Sequence, residues 1–378
     1  MLALAALVVA AAPPSDPNPP PHWNNAQVDK LIGWMTTSSD DGLAIVPAEI
    51  PRLRLLLKAG DQAATDSYAT QAAEELLSDL IAGCCNASLR SNWHIANGLE
   101  HTDRGSAVAA AVADDKLDAL FAEARPAHPF YAALRFAYGR EQDPARRAIL
   151  AANLDRWRWM PRKLGSRYLL INAANFEVTL WQGDQKIGRW AVIVGKTRSP
   201  TPVFAARVTG VTINPWWEIP PAIARESVVG LLARRPAEAA KRGYVLAGGR
   251  YRQRPGPTNS LGRMKLVMPN PYNVYLHDTP VQALFKQDVR AFSHGCVRVD
   301  DALGLATALL GSQWDRSRLD AVVAAGATQT IELRTPIPVY IAYFTAEPDD
   351  SGGIRYFPDV YRRDSGAKAP TPEGNCPR

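Results

Sequence analysis

The chain has 378 residues, of which 47% are hydrophobic and 21% charged, which is enough for two globular domains with hydrophobic cores. Its formal net charge of +6 is a mild excess. Lysines and arginines are not interleaved with aromatic residues, so we expect no nucleic-acid partner.

The first twelve residues form an apolar run that ends in small residues and precedes Pro13 and Pro14. This pattern is typical of the core and cleavage region of a secretory signal, although the usual positive residues before the core are missing. We predict a signal peptide and Pro-rich leader over residues 1–21, followed by export. An Ala-rich terminus without a targeting role is the alternative. No later run approaches the roughly 20 apolar residues of a membrane helix, so no transmembrane anchor is expected after signal removal.

Four cysteines are too few for a disulfide framework in a chain of this length. Adjacent Cys84 and Cys85 lack the C-x-x-C spacing of a zinc site, and one of the cysteines can pair with Cys376 in an exported protein. The G-x-G-x-x-G, H-E-x-x-H and G-x-S-x-G motifs are absent. We therefore expect no metal, no cofactor and no serine-hydrolase chemistry.

The first half of the chain has helical patterns, with turn signals between them. We predict a helical scaffold domain over residues 22–157 without chemistry of its own. Its histidines have no Cys or carboxylate neighbours in the sequence and are interpreted as structural: His94, His101 and His128. The predicted helices are Asp66 to Leu80, Val108 to Ala124 and Ala145 to Trp157.

From Pro161 onwards the pattern changes to β-branched and aromatic residues, which predicts a strand-rich domain over residues 158–365. The fold class is α+β, and the second domain is β-sandwich-like, of the sandwich or barrel kind. Residues 221–263 do not alternate and indicate a capping insertion, and residues 366–378 a flexible tail. The predicted strands are Tyr168 to Asn172, Asn175 to Trp181, Ile187 to Val194, Val203 to Ile213, Lys265 to Met268, Tyr272 to Leu276, Thr328 to Arg334 and Ile337 to Phe344, with one helix, Asp301 to Leu310.

Cys296 is the candidate nucleophile, in the segment Ser293-His294-Gly295-Cys296-Val297-Arg298. A thiol attacks a carbonyl as the thiolate, so it needs a base nearby. His294 precedes Cys296 by two residues and on a strand would flank the thiol without directing a nitrogen at it. His277, at the end of a neighbouring predicted strand, can do so and is our candidate base.

Two neighbours of Cys296 have a chemical reason to be there. Gly295 lets a substrate carbonyl approach the backbone, and N–H groups around Gly295 and Cys296 can donate to an oxyanion. Arg298 shares the face of Cys296 if the strand continues, and its guanidinium can bind a substrate carboxylate. A salt bridge that steadies the loop is the alternative for Arg298.

The pattern over residues 275–299, Tyr-Leu-His-Asp-Thr-Pro and then Phe-Ser-His-Gly-Cys-Val-Arg-Val, resembles the signature of the YkuD-type L,D-transpeptidase catalytic domain. The resemblance extends over residues 150–365, including the segments that begin at Asn214 and Arg355, and loosely over the N-terminal helices. The larger periplasmic members have such a scaffold and a capping subdomain. Here only about twenty residues separate Leu134 from Arg156, so we expect their peptidoglycan-binding module to be missing. Some relatives have Ser at the position of His294.

The resemblance implies a peptidoglycan cross-linking enzyme of the periplasm. Cys296 would form a thioester with a stem peptide, and His277 would be the general base. The backbone carbonyl of Asp278, the next residue, is one candidate for fixing the tautomer of His277, and the group that orients the ring is left open. The thioester would pass to the side-chain amine of a second diaminopimelate. Stem peptides are the expected partners, and other cell-wall synthesis proteins are left open. The remaining implied site residues are Ser293, His294 and Gly295 for oxyanion and positioning, and Asn214, Trp216, Trp217, Tyr275 and Arg298 for substrate.

Alternative functions use the same site. An L,D-carboxypeptidase, with water as acceptor, and an enzyme that attaches proteins to the wall cannot be separated from the transpeptidase by sequence. A wall-binding scaffold with an inactive catalytic fold is the non-enzyme alternative. A papain-like protease is disfavoured, because that class places its Cys before its His.

Overall fold

The computed structural model of the protein describes residues 20–43, 49–83, 87–90 and 92–367. The predicted signal segment, most of the predicted tail and the cysteines Cys84, Cys85 and Cys376 lie outside the described residues. Within those residues, no helix is long and apolar enough to cross a bilayer.

The N-terminal half is helical, as the sequence predicts. Aspartates cap three of the helices: Asp61, Asp103 and Asp143 each accept a hydrogen bond from a first-turn N–H that has no partner within the helix. The helix predicted over residues 108–124 is two helices, separated at Asp115, whose φ is +53°. The helices are α1 (Asn25–Ser38), α2 (Glu49–Ala59), α3 (Gln62–Ala82), α4 (Arg104–Ala113), α5 (Leu117–Ala124), α6 (Pro129–Tyr138) and α7 (Pro144–Arg158).

These helices pack into two separate hydrophobic cores. Helices α1 to α5 surround one core, which includes Leu31, Leu76 and Phe121. Helices α6 and α7 contribute to a second core that they share with the strands, including Leu134 and Trp157. The boundary predicted at residue 157 stays a prediction, but by packing the last two helices belong with the sheet.

The second half is strand-rich, as predicted, and the α+β class is confirmed. Helix α12 (Arg316–Ala325) follows α11 (Ala302–Leu310) and was not predicted. The strands are β1 (Trp93–His94), β2 (Arg167–Asn172), β3 (Glu177–Gln182), β4 (Gln185–Gly195), β5 (Val203–Ile213), β6 (Trp217–Glu218), β7 (Tyr244–Ala247), β8 (Arg250–Gln253), β9 (Met264–Val267), β10 (Leu276–His277), β11 (Ala291–Ser293), β12 (Val297–Val299), β13 (Gln329–Ala342), β14 (Ala346–Pro348) and β15 (Ile354–Tyr356).

The main sheet closes on itself. Its order is β5-β13-β2-β3-β4-β12-β10-β9, and β9 pairs with β5 as well as with β10. The second core lies within this sheet and beneath its helices. Of the two expected kinds, the sandwich-like assignment is therefore refined towards a closed, barrel-type sheet.

Two strand predictions need correction. The strand predicted over residues 272–276 is wrong except at its end, because Asn273 has φ +54° and the Asn270 side chain accepts from the N–H groups of Tyr272 and Val274. Local bonds of this kind replace strand pairing. The two strands predicted near the C-terminus are one, β13, with a register shift between Glu332 and Ile337.

The scaffold is joined to the closed sheet by a strand and by a buried ionic cluster. Strand β1 pairs in parallel with β5, so the helical half supplies an edge strand. The carboxylate of Asp41, fully buried, accepts from Arg125 at 2.7 Å and from the Tyr131 hydroxyl at 2.6 Å. Arg135 approaches the same carboxylate at 3.1 Å. Removing one partner of a buried group of this kind leaves an unpaired charge, so the joint is specific.

The sequence suggested irregular structure for the insertion over residues 221–263, but the structure shows that it is regular. It contains α8 (Pro221–Ile223), a π-helix (Ala224–Val228), α9 (Val229–Arg234) and α10 (Pro236–Lys241). With β6, strands β7 and β8 form a three-stranded sheet. A separate small core holds it together. We call residues 217–263 the cap.

Glu347 gives a prediction for the pH dependence of stability. Burial raises its pKa to about 7, although Asn172 and Asn175 donate to its carboxylate at 2.8 and 2.7 Å. Because the folded-state pKa lies above the unfolded value, the contribution of Glu347 to stability is complete below about pH 4.5, where the carboxyl is protonated. This contribution is lost as the pH rises through 7 and the buried carboxyl ionises. We expect the free energy of unfolding of the wild type, relative to Glu347→Gln, to fall by about 2–3 kcal/mol between pH 4.5 and 8. Urea unfolding measures it. The exposed Glu123→Gln variant should show no such change, and a flat difference for Glu347 would contradict the assignment.

Candidate active site

The register of two short parallel strands places the candidate residues on one side of the sheet. Leu276 of β10 pairs with Val297 of β12, and His277 pairs with Arg298. Leu276 and Val297 are fully buried in the core. Because successive side chains alternate, His277 and Arg298 point to the other side, together with Cys296, the residue directly before β12.

The imidazole of His277 is buried and held in one tautomer. Its Nδ1 lies 2.5 Å from the backbone oxygen of Asp278, so Nδ1 carries the proton and Nε2 is left as the basic atom. Burial, helped by the positive charge of Arg298, lowers the pKa of His277 to about 4, although the backbones of Asp278 and Leu261 act in the opposite direction. The ring is therefore neutral at neutral pH. The structure thus gives the ring an orienting partner that the sequence left open, the Asp278 carbonyl.

The Asp278 carboxylate has a different task. It accepts from the backbone N–H of Arg263 at 2.9 Å and from its guanidinium at 2.8 Å. A Cβ on Gly262 would come within 2.6 Å of this side chain. Asp278 thus fastens the segment that enters β9 to the segment that leaves β10.

The thiol of Cys296 is protonated at rest. Burial raises its pKa, and the Tyr275 backbone and the positive Arg298 lower it to a smaller extent. Burial also raises the pKa of Tyr275, as does its electrostatic interaction with Cys296. The resting pair is a thiol and a neutral imidazole, which needs proton transfer from Cys296 during attack.

A turn over residues 293–296, which we call the Cys296 loop, is held by its own serine and by a threonine. Ser293 Oγ donates to the Cys296 carbonyl at 2.5 Å and accepts from the Gly295 N–H at 3.0 Å. Thr201 Oγ1 donates to the Gly295 carbonyl and accepts from the Gly195 N–H, both at 2.9 Å. Gly295 has φ +117°, a backbone conformation that favours glycine. A Cβ there would have no neighbour within 4 Å, so the space next to Gly295 is open.

These bonds change the roles expected within the loop. The Gly295 N–H is already engaged by Ser293, so the Cys296 N–H is the better candidate oxyanion donor of the two. Ser293 is buried and closes the turn. Sequence reasoning assigned no role in the site to Thr201 or Gly195. A Cβ on Gly195 would lie 2.1 Å from the Ser199 oxygen.

The site has two positive side chains, Arg298 near Cys296 and Lys265 next to His277 in the sheet. The guanidinium of Arg298 has neither a hydrogen bond nor an ion pair with any described residue, so a substrate carboxylate fits its chemistry better than the salt-bridge alternative. Lys265 pairs with His277 across β9 and β10, and its Nζ lies 5.1 Å from the centre of the Tyr275 ring. Sequence reasoning missed Lys265, although a lysine between buried Met264 and Leu266 was a readable signal.

For three residues implied by the resemblance, the described contacts are structural. Asn214, at φ +49°, donates from Nδ2 to the carbonyls of residues 322, 323 and 327 and so caps α12. Trp217 packs in the core of the cap. Trp216 stacks beneath Arg252, with 4.6 Å between the guanidinium carbon and the ring centre. Asn214 is structural in this arrangement, and both tryptophans form the stem of the cap.

His294 connects the Cys296 loop with the cap. Its Nε2 lies 3.1 Å from the Glu226 carboxylate, on the π-helix of the cap, and 3.3 Å from Lys196 Nζ. Arg198 approaches the same carboxylate at 3.9 Å. The Nε2 atom of His294 is therefore directed at Glu226, and this contact links the Cys296 loop to the cap. Glu226 was not found from the sequence, because its partner is 68 residues away.

No group of three or more His, Cys, Asp or Glu side chains in the described ranges could hold a metal ion. The chemistry of the site is that of a thiol, an imidazole and cationic neighbours.

Comparisons with known families agree with this geometry. Residues 166–341 match the YkuD family, described as the L,D-transpeptidase catalytic domain. Residues 16–137 match a family described as the scaffold domain, so the scaffold and the YkuD domain together account for most of the chain.

Individual relatives of the YkuD domain include a Haemophilus influenzae protein named "Putative L,D-transpeptidase", 29% identical over 236 residues. The match covers 57% of this chain and 48% of that protein, so the chain spans about half the length of this curated relative. Among solved structures, L,D-transpeptidase 3 from Mycobacterium tuberculosis is 12% identical over 47% of this chain and 60% of its own, with a TM-score of 0.26. An Enterococcus faecium L,D-transpeptidase is 14% identical over 48% and 51%, with a TM-score of 0.24. These scores are low, and the family assignment rests on the sequence matches.

Proposed function

We propose that the protein is a peptidoglycan L,D-transpeptidase that joins two diaminopimelate residues through a thioester on Cys296. The observation that supports this most directly is the placement of His277. Its neutral ring shares the face of Cys296, and its Nδ1–H is committed to the Asp278 carbonyl, so Nε2 is available as the base.

In the proposed first step, the donor is a tetrapeptide stem, cleaved between diaminopimelate and the terminal D-Ala. Nε2 of His277 takes the thiol proton while Sγ attacks the carbonyl carbon, and the oxygen takes up the negative charge. The Cys296 N–H donates to this oxyanion. The C–N bond then breaks, the proton moves to the departing D-Ala amine, and the thioester remains.

In the second step, the side-chain amine of another diaminopimelate attacks the thioester carbon. His277 takes a proton from the amine, the C–S bond breaks, and the sulfur regains its proton. The free guanidinium of Arg298 is positioned to hold a carboxylate of the stem. If water attacks instead, the product is a shortened peptide.

The deciding experiment gives the purified protein a disaccharide tetrapeptide and measures products by mass spectrometry. The proposal expects cross-linked dimers with loss of D-Ala. Trimmed monomer without dimer would support the carboxypeptidase, and covalent attachment to an added protein the wall-attachment enzyme. A carbapenem adduct on Cys296 reports a reactive thiol, and an inactive scaffold would give neither product nor adduct.

The cap is proposed to decide between amine and water, because exclusion of water controls the fate of an acyl-enzyme. Glu226→Gln weakens the contact between the cap and His294, so we expect a higher ratio of trimmed monomer to dimer. Glu238→Gln is the matched control, since Glu238 pairs only with arginines of the cap, Arg235 and Arg242, within the described contacts. An unchanged ratio in Glu226→Gln would contradict this role.

Thr201 is proposed to position the Cys296 loop. Thr201→Val keeps the shape but removes both hydrogen bonds, to the Gly295 carbonyl and from the Gly195 N–H. We expect the acylation rate to fall by about 10²-fold, because small displacements of a reacting group are costly. Thr201→Ser should restore most of the rate, and stopped-flow acylation by a carbapenem measures it. Equal rates for the Val and Ser variants would remove Thr201 from this role.

We also propose that the chain acts in the periplasm, supported by the apolar leader pattern of residues 1–12. A fusion to a reporter that is active only after export tests this. Deletion of residues 1–21 should abolish reporter activity, and retained activity would contradict export through this segment.

A further inference from the structure

A cavity lies at the end of α11 that is farther from β12. It has a volume of about 630 Å³ and lies between the C-terminal end of α11 and the segment of β13 that carries the register shift. Arg167 of β2, Arg207 of β5 and Arg334 of β13 line it, and we call it the arginine groove. Helix α11, nine residues and therefore about 13 Å long, separates it from β12.

The groove has an uncompensated positive charge. Its lining contains three arginines and no aspartate or glutamate. Arg334 is exposed and has no hydrogen bond or ion pair with any described residue. Arg207, also exposed, donates to the Pro336 carbonyl at 3.1 Å. The positive charges of Arg207 and Arg334 are therefore not balanced by a carboxylate among the described residues.

Arg167 contributes a buried donor that is not used within the described residues. One of its terminal nitrogens donates to the Ala308 carbonyl, which offsets the negative end of α11. Its Nε is buried and has no hydrogen-bond partner among the described residues. A buried donor without a partner costs roughly 1–3 kcal/mol, so an acceptor that enters the groove would be favoured.

We propose that the arginine groove binds a phosphate group. Guanidinium groups match phosphate oxygens in geometry, and three of them exceed the charge of a single carboxylate. No aromatic side chain lines the groove, so it offers no surface on which a nucleic-acid base could stack. The same chemistry fits a phospholipid headgroup at a membrane surface and a soluble phosphate compound.

The test uses the full chain and two probes at constant ionic strength. Sodium pyrophosphate is titrated by NMR, and sedimentation is measured with vesicles of phosphatidylglycerol and phosphatidylcholine against phosphatidylcholine alone. The double variant Arg207→Gln/Arg334→Gln removes the two exposed charges without disturbing the core. Arg250→Gln/Arg254→Gln, on the cap, is matched in charge and exposure.

We expect saturable pyrophosphate binding that weakens at least about tenfold in the groove variant and is unchanged in the cap variant, as for the loss of a charged hydrogen bond. Selective sedimentation with phosphatidylglycerol, lost in the groove variant, would identify a lipid source, and pyrophosphate binding alone a soluble one. Both support the site. No binding of either probe, or equal loss in both variants, overturns it. Carbapenem acylation of Cys296 should be unchanged in the groove variant, so this test is separate from that of the proposed function.

Discussion

Cys296→Ala is expected to reduce dimer formation from disaccharide tetrapeptides by about 10³-fold or more, because removal of a nucleophile removes the covalent route. Cys296→Ser should also be nearly inactive. A hydroxyl is harder to deprotonate than a thiol, and the base beside it has a pKa of only about 4. Product analysis by mass spectrometry measures both variants.

The fold should be intact in these variants, because Cys296 is partly exposed and contributes no side chain to the core. Unchanged circular dichroism and thermal midpoint are the control. Full dimer formation by Cys296→Ala would remove this residue from the mechanism. The protonated resting thiol adds a second measurement. Alkylation of the wild type by iodoacetamide should increase about tenfold per pH unit from pH 6 to 8, as for a thiol whose pKa is not lowered.

His277→Gln is expected to lower the acylation rate by about 10²–10⁴-fold, the usual effect of losing a general base. Glutamine has a similar size, so the buried position stays filled. Iodoacetamide alkylation at pH 7 should be little affected, since the wild-type thiol is not ionised by this histidine. The contrast separates loss of the base from loss of the fold.

The pH dependence of the acylation rate tests His277 as the general base. With a His277 pKa of about 4, acylation by the wild type should be limited by protonation of the ring only as the pH falls towards 4, and His277→Gln should lack that limb. His294→Gln, the matched histidine control, should keep both the limb and most of the rate, because His294 faces Glu226 on the cap. A larger loss in His294→Gln than in His277→Gln would reverse the assignment.

The sequence predicts local structure well where pattern and caps agree. Strand β5 was predicted with its observed bounds, and α11 with its N-cap, Asp301, as the first residue. Predictions fail where side chains compete with the backbone. At Asn270, side-chain bonds replace a strand, and the cap was not recognised as structured, because its elements are short and stabilise one another.

The candidate nucleophile and base could be predicted from the sequence, but the residues that position them could not. Cys296 and His277 carry a chemical signal in their residue types and spacing, and the parallel pairing of β10 and β12 is consistent with it. Asn214 was interpreted as a substrate residue, although its amide caps a helix more than 100 residues away. Residue type alone does not distinguish these uses of an amide.

The sequence by itself determined the α+β class, the leader and cysteine patterns, and the family signature around Cys296, because each is written in local residue order. The tertiary structure decided the closure of the sheet through β9 and β5, the bonds of Thr201 to the Cys296 loop, the link from His294 to Glu226, and the charge of the arginine groove. All four depend on contacts between residues distant in the chain. Such contacts are fixed only when packing brings the strands and the cap together.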